Sequence, residues 1–171
     1  MTDKIRVLIV DDSALMRKAL KGIIMTDPSL EVVGTARDGQ DAVEKVHELK
    51  PDVITMDINM PVMDGLTSMQ YILNDYPELP VLIISSLTTE GALTTFEALE
   101  LGAFDYVAKP SGTVSSNIHI VGREIIQKIK LAYKSANKKS IRDRAKRLSY
   151  ATAAKKTVPE INTGIPKSEG L

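Results

Sequence analysis

Acidic residues and one lysine fall where short apolar runs of the sequence end. Asp11 and Asp12 follow the run VLIV, and Asp57 follows the run VITM. Lys109 lies just beyond the run YVA. If these runs are parallel strands, their carboxyl ends share one edge of a sheet, which is where open α/β folds bind ligands. We therefore expect the four side chains to lie close together.

Three neighbouring carboxylates repel one another unless a cation neutralises them or one keeps a proton. Mg²⁺ suits such a site, because it prefers hard oxygen ligands and is often held by one or two carboxylates together with a phosphate oxygen. A carboxylate beside the ion can attack phosphorus and form an aspartyl-phosphate. Asp57 is the candidate nucleophile, and Lys109 would offset negative charge on the phosphoryl oxygens.

Ser85 ends another apolar run, VLIIS, and its hydroxyl could donate a hydrogen bond to a phosphoryl group. Ser86 is the alternative, one position further on. Because side chains of a strand alternate between its two faces, only one of the two should point toward the site, and we favour Ser85.

The elements that must position these residues follow an α/β pattern, in which apolar runs rich in β-branched residues alternate with segments of helical period. Three of the runs are almost wholly apolar, as expected for central parallel strands covered by helices on both faces. Five strands are predicted, at residues 7–10, 32–33, 53–56, 81–84 and 104–107.

Five helices are predicted between and after these strands. The first begins at Ser13, a good capping residue, and presents Leu15, Ala19 and Ile23 on one face. Prolines and a glycine mark the ends of the next three. These run near 40–49, 66–75 and 90–101, and the fifth runs from about 115 to at least 133.

Residues 136–171 differ in composition from the rest of the chain. They carry nine basic and three acidic residues, a charge of +6, which leaves −6 for residues 1–135. Their apolar period is weak, so we expect a basic linker or frayed helical tail after a single domain at 1–135. The tail lacks the aromatic residues and the helical core of a nucleic-acid binder, so we expect no nucleic-acid partner.

Two further functional classes are disfavoured by composition. The chain has no cysteine, which excludes disulfides, a thiol nucleophile and thiolate-bound zinc. It has no apolar run near the roughly 20 residues that span a bilayer and no signal-peptide pattern, so we expect a cytoplasmic protein without membrane insertion.

Four motifs in register resemble the response-regulator receiver family. They are VLIVDDS at 7–13, MDINMPVMDG at 56–65, IISS at 83–86 and YVAKP at 106–110. The resemblance covers residues 4 to about 133 and implies a flavodoxin-like, doubly wound parallel sheet of five strands in the order 2-1-3-4-5 with five helices.

The resemblance also implies roles for individual residues. Asp57 would be the phosphoacceptor, and Asp11 and Asp12 would bind Mg²⁺ together with the backbone carbonyl of Asn59. Ser85 and Lys109 would contact the phosphoryl oxygens. Tyr106 would be an aromatic switch that turns inward on activation, and a cis Lys109–Pro110 bond would position the lysine.

Within this family, residues 85–112 look most like the chemotaxis protein-glutamate methylesterase. That likeness implies a chemotaxis-type histidine kinase as phosphodonor, a methylesterase catalytic domain in the parent chain, and chemoreceptors as further partners. This chain has no Gly-X-Ser-X-Gly elbow, so we expect no esterase activity in it. It is either the regulatory half of such a protein or a free-standing receiver that acts by protein binding.

Two other classes of function remain to be weighed. A phosphohydrolase that uses Asp57 as a transient nucleophile would need an acid or base two residues later, where Asn59 can supply neither. A DNA-binding regulator would need an effector domain that the tail cannot build. Both are weaker than a receiver in which phosphorylation biases a two-state equilibrium.

Overall fold

The computed structural model describes residues 3–86, 89–110, 115–138 and 145. Strands and helices alternate along the chain. The strands are β1 (Ile5–Val10), β2 (Leu30–Ala36), β3 (Val53–Met56), β4 (Val81–Ser85) and β5 (Asp105–Ala108). The helices are α1 (Ala14–Ile24), α2 (Gly39–Leu49), α3 (Gly65–Asp75), α4 (Thr89–Leu101) and α5 (122–138), the last preceded by a 3₁₀ helix, Ser115–Val121.

The five strands form one parallel sheet in the order β2-β1-β3-β4-β5. The flavodoxin-like architecture expected from the motifs is therefore confirmed. The chain first builds outward from β1 to β2 and then returns past β1 to β3, so the order of connection reverses between β1 and β3. The carboxyl ends of these two strands lie side by side at that reversal, the usual ligand-binding position of such sheets.

Two hydrophobic layers cover the sheet. One face packs against α1 and α5, around Ile9, Leu20 and Ile129. The other packs against α2, α3 and α4, around Leu8 and Met69. Val7 through Val10 are at most 1% exposed, and the whole of β4 is likewise buried. Burial on both faces explains why the central strands read as continuous apolar runs rather than as alternating ones.

The predicted face of α1 is only partly the one that enters the core, because Leu15 is exposed. Met16, Leu20 and Ile24 are buried, whereas Leu15 is 69% exposed. The fully buried stripe is thus displaced by one residue from the predicted one, although Ala19 and Ile23 still pack at its edge. Both sets have the same four-residue spacing, so their period alone could not distinguish them.

The helix starts follow the expected capping chemistry. Ser13 accepts a hydrogen bond from the Met16 backbone N–H, and Asp38 and Asp64 cap α2 and α3 in the same way. These caps satisfy N–H groups that have no partner within their helices. The predicted bounds of α2, α3 and α4 differ from those observed by one residue at the start only.

The chain divides into two units, Met1–Ala136 and Asn137–Leu171. The helix α5 is described to residue 138, so the predicted linker lies almost wholly outside the described residues. No helix among the described residues is long and apolar enough to cross a membrane.

Candidate functional site

The backbone of the sheet brings the candidate carboxylates to one edge. The Asp57 N–H donates to the Val10 carbonyl across the β1–β3 pair, at 3.0 Å. The Asp11 N–H donates to the Ala36 carbonyl at 3.1 Å, continuing the pairing of β1 with β2. Asp11 and Asp57 are therefore the first residues beyond two neighbouring strands, as the strand-end argument expected.

A glycine at the start of α3 allows the chain to fold tightly around Asp57. The Gly65 N–H donates to the Ile58 carbonyl at 2.7 Å. A Cβ at position 65 would lie 2.1 Å from the Asp57 carbonyl oxygen, a distance that no side chain can adopt. The glycine of the MDG motif is required because the first turn of α3 passes directly over the backbone of the acceptor residue.

Three carboxylates and a lysine meet at this edge. Asp11, Asp12 and Asp57 each place an oxygen within 4.8 Å of the other two. The Lys109 Nζ lies 3.0 Å from Asp11 Oδ2 and 3.4 Å from Asp57 Oδ2. Asp11 and Asp57 are buried, whereas Asp12 is exposed. The cluster therefore has a formal charge of −2 and opens to solvent on the Asp12 side.

The ionisation of Asp57 reflects its surroundings. Burial and, to a smaller extent, the negative charge of Asp11 raise the pKa of its carboxyl group, which is about 6. Attraction to Lys109 and a hydrogen bond from the Ile58 N–H act in the opposite direction and only partly compensate. For Lys109, burial lowers the pKa, but attraction to Asp57 and Asp11 outweighs it and the pKa is raised. Lys109 therefore stays positively charged, whereas the Asp57 carboxyl group beside it loses its proton less readily than an ordinary aspartate.

Asp11 is held by more contacts than its sequence context suggested. Its Oδ1 accepts from the Ser13 N–H at 2.9 Å, and its Oδ2 accepts from Lys109. The Arg17 guanidinium donates to the Asp11 backbone carbonyl at 2.7 Å. Arg17 was not anticipated as part of the site. Its separation of six residues matches no general ligand motif, so the sequence carried no signal for it.

Ser85 is the buried member of the serine pair, at 3% exposure, whereas Ser86 is partly exposed. The Ser85 carbonyl accepts from the Lys109 N–H at 2.9 Å, which fixes the end of β4 beside the lysine. The Ser85 hydroxyl lies 3.3 Å from the hydroxyl of Thr95 on α4. Thr95 was not anticipated either, since a helix threonine gives no sign of its partner.

Tyr106 lies on β5 with its ring half-buried against the α2–α4 layer. The Lys128 Nζ donates to the Tyr106 carbonyl at 2.7 Å and lies 5.3 Å from the centre of its ring. Lys128 also pairs with Asp105 and Glu124. These contacts tie the β5 tyrosine to α5.

Two expectations need separate comment. Asn59 lies in the loop after Asp57 with an exposed side chain, and its expected carbonyl contact with a cation stays a prediction. The expected cis Lys109–Pro110 bond is wrong, because no peptide bond among the described residues is cis. The trans form of a proline peptide is intrinsically favoured, and with it Lys109 already reaches both carboxylates.

The donor set fits a small, hard divalent cation. All three converging groups are carboxylates, with no histidine among them, and one side of the cluster is open to solvent. Mg²⁺ prefers such oxygen ligands and usually keeps several waters. A cation would also offset the net charge of −2 and favour the ionised form of Asp57, whose pKa is raised mainly by burial.

A family model described as the response regulator receiver domain matches residues 7–117. The chain belongs to this family. Its curated relatives include protein-glutamate methylesterase/protein-glutamine glutaminase 2 of Carboxydothermus hydrogenoformans, 67% identical over 132 residues. A second relative is protein-glutamate methylesterase/protein-glutamine glutaminase 3 of Syntrophomonas wolfei, 56% identical over 157 residues.

These alignments cover 77% and 91% of this chain but only 37% and 44% of the two relatives. The chain thus spans less than half the length of the curated relatives it matches. The family is established by this region, whereas the activity of the longer proteins is not.

Solved structures agree with the sequence relatives. The response regulator domain of Thermotoga maritima CheB is 50% identical with a TM-score of 0.72, covering 77% of this chain and 97% of that one. CheY of Borrelia burgdorferi, in a complex with CheX, BeF₃ and Mg²⁺, is 30% identical with a TM-score of 0.64, covering 77% and 90%. This chain is therefore a receiver domain of the CheB type, in a two-component chemotaxis family.

Proposed function

We propose that this receiver accepts a phosphoryl group on Asp57 from a chemotaxis-type histidine kinase. The observation that carries the proposal is the convergence of Asp11, Asp12 and Asp57 within 4.8 Å, with the Lys109 ammonium against two of them. An acceptor carboxylate, groups for a cation and a fixed positive charge are the parts that phosphoryl transfer to an aspartate requires.

Asp11, Asp12 and Asp57 would hold Mg²⁺, together with the backbone carbonyl of Asn59. When bound, the ion would neutralise charge on the phosphoryl oxygens during transfer. Lys109 supplies a second positive charge beside Asp57 and is held in place by its bond to Asp11. Ser85 would donate its hydroxyl proton to a phosphoryl oxygen.

The transfer replaces one bond to phosphorus with another. A carboxylate oxygen of Asp57 forms the new P–O bond as the P–N bond to the donor imidazole breaks. The imidazole nitrogen leaves with the bonding electron pair and takes up a proton from solvent. Asp57 must be ionised to attack, and both Lys109 and a bound cation favour that form.

Modification would act on an output face formed by α4, β5 and α5. Ser85 at the end of β4 contacts α4, and Tyr106 on β5 is tied to α5 through Lys128. Both residues would respond to a phosphoryl group and bias two arrangements of this face. By analogy with the named relatives, the face would control a methylesterase catalytic domain of the same protein, with chemoreceptors as further partners.

The proposal is tested by incubating the chain with Mg²⁺ and acetyl phosphate and mapping the modified residue by mass spectrometry. We expect one Mg²⁺-dependent phosphoryl adduct, on Asp57. Asp57→Ala should abolish it while the circular dichroism spectrum stays unchanged.

Asp75→Ala is the matched control, because Asp75 is a surface carboxylate on α3 paired with His47 at the helix end. That variant should be labelled as fast as the unaltered chain. Stable labelling of Asp57→Ala, or labelling that does not depend on Mg²⁺, would contradict the proposed acceptor chemistry.

A further inference from the structure

A buried pair of hydroxyl groups joins the end of β4 to α4. Ser85 and Thr95 are each 3% exposed, and their side-chain oxygens lie 3.3 Å apart. Buried polar groups are costly unless they are hydrogen-bonded, so the pair stabilises whichever arrangement of α4 allows it to form.

In the part of α4 whose side chains are described, the face toward the core is made of Thr95, Ala98 and the partly buried Leu99. Thr95 and Ala98 are its fully buried residues, while Leu93 and Phe96 are 65% and 66% exposed. A helix that buries an alanine and a threonine gains less from hydrophobic burial than one that buries leucines. Among the described side chains of α4, the hydroxyl pair therefore contributes to its attachment to the core alongside Ala98 and the partly buried Leu99.

The Ser85 hydroxyl carries one proton and can donate one hydrogen bond. A threonine hydroxyl within a helix commonly donates its own proton to the carbonyl one turn earlier and can still accept a hydrogen bond through its oxygen. The geometry of the pair allows either hydroxyl to donate, and in this pattern Ser85 would be the donor to Thr95. A phosphoryl group on Asp57 would compete for the same proton, and its negatively charged oxygens are stronger acceptors than a neutral hydroxyl.

We propose that Thr95 is a positioning residue that holds the Ser85 hydroxyl in the resting state and releases it, and with it α4, when Asp57 is phosphorylated. The inference rests on the proposed function, because it needs a phosphoryl group as the competitor. It assigns to α4 a specific contact through which the acceptor site changes the output face.

The test titrates the full chain with BeF₃⁻ at saturating Mg²⁺, using ¹⁹F NMR to measure affinity. Thr95→Val preserves the shape of the side chain but removes the acceptor, so binding no longer has to break the Ser85–Thr95 bond. A net hydrogen bond of ordinary strength corresponds to roughly fivefold tighter binding. Thr95→Ser keeps the hydroxyl and should restore the affinity of the unaltered chain.

A purely structural effect of the substitution would appear regardless of Ser85. In a Ser85→Ala background, Thr95→Val should therefore leave the affinity unchanged, because the bond is already absent. Thr94→Val makes the same change one residue earlier, at a partly exposed position of α4, and should also have no effect. If Thr95→Val does not fold, Thr95→Ala removes the same acceptor.

The outcomes separate the two proposals. Failure of the unaltered chain to bind BeF₃⁻ with Mg²⁺ at Asp57 would overturn the proposed function. Normal binding that Thr95→Val leaves unchanged or weakens would overturn the role of Thr95 alone. Tightening that persists in the Ser85→Ala background would also overturn it, since the effect would not pass through Ser85.

Discussion

The two ends of the sheet carry aspartates in opposite electrostatic situations. Asp27 lies at the amino end, in the turn between α1 and β2, and accepts hydrogen bonds from the N–H and hydroxyl of Ser29. Lys130 on α5 pairs with its other oxygen at 2.5 Å. The bond from Lys130, followed by those from Ser29, lowers the pKa of Asp27 to about 2. This carboxylate is most stable when ionised.

Asp57 at the carboxyl end is the reverse. Burial and the nearby Asp11 hold its pKa at about 6, and one backbone N–H with one lysine compensates only in part. The amino end therefore uses charge to join two elements of the fold. The carboxyl end retains excess negative charge at a cost in stability. A bound cation would neutralise part of this charge, and phosphoryl transfer would use the Asp57 carboxylate as the nucleophile.

The largest difference between the two ends of the sheet is expected in the free energy of unfolding of Asp57→Asn, measured without metal. The pKa of Asp57 is 3.8 in the unfolded chain and about 6 in the folded one. The protonated group therefore contributes its full stabilisation below pH 3.8, and that contribution is lost as pH rises through about 6. The ionised group should then cost about 3 kcal/mol at pH 8 and about half of that at pH 5. Urea unfolding in EDTA should show Asp57→Asn more stable than the unaltered chain by these amounts.

Mg²⁺ provides the counterpart of that measurement. Adding it at pH 8 should stabilise the unaltered chain and reduce the advantage of Asp57→Asn, because the ion neutralises the same charge. Asp75→Asn, at an exposed position, serves as the control for the change of residue type. An equal advantage at both pH values would show that the buried charge of Asp57 is not its source.

A second, smaller cost at the carboxyl end lies in the loop that follows Asp57. Val62 has φ of 69°, in the left-handed region that β-branched residues avoid, and its side chain is 77% exposed. Asparagine tolerates this conformation, so Val62→Asn should raise the free energy of unfolding by about 1 kcal/mol. Val62→Ala keeps a Cβ in the same conformation and should gain less. Equal gains from both changes would mean that backbone strain is not the cause.

Some of these features of the site and the fold could be predicted from the sequence alone, and others could not. The meeting of Asp11, Asp57 and Lys109 was predictable, because parallel strands must end at a common edge. The buried face of α1 was not, since Leu15 and Met16 begin apolar stripes of identical spacing. The contacts of Arg17 with Asp11 and of Thr95 with Ser85 depend on how separate segments pack in the folded chain. The periodic pattern of the sequence does not predict that packing.

The opposite pKa shifts of Asp27 and Asp57 could not be predicted from the sequence either. Both residues follow an apolar segment in the sequence, and both are ordinary turn residues by composition. What separates them is Lys130 in one case and burial beside Asp11 in the other. These surroundings are set by α5 and by the end of β1, which lie far from each aspartate along the chain.

The smallest effect, and the one that could break the comparison, concerns Asp27. Since its folded-state pKa is lowered, the ionised carboxylate stabilises the fold above pH 3.8, and this contribution is lost as pH falls through about 2. Asp27→Asn should therefore lower the melting temperature slightly at pH 6, with the difference shrinking toward pH 2.

Lys130→Gln removes the same ion pair from the α5 side and should have the same effect, whereas Lys134→Gln, at an exposed position of that helix, should have none. Because the pair lies near solvent, high salt should weaken the effect. If Asp27→Asn instead stabilised the chain as Asp57→Asn is expected to, the two ends of the sheet would not differ in their use of charge.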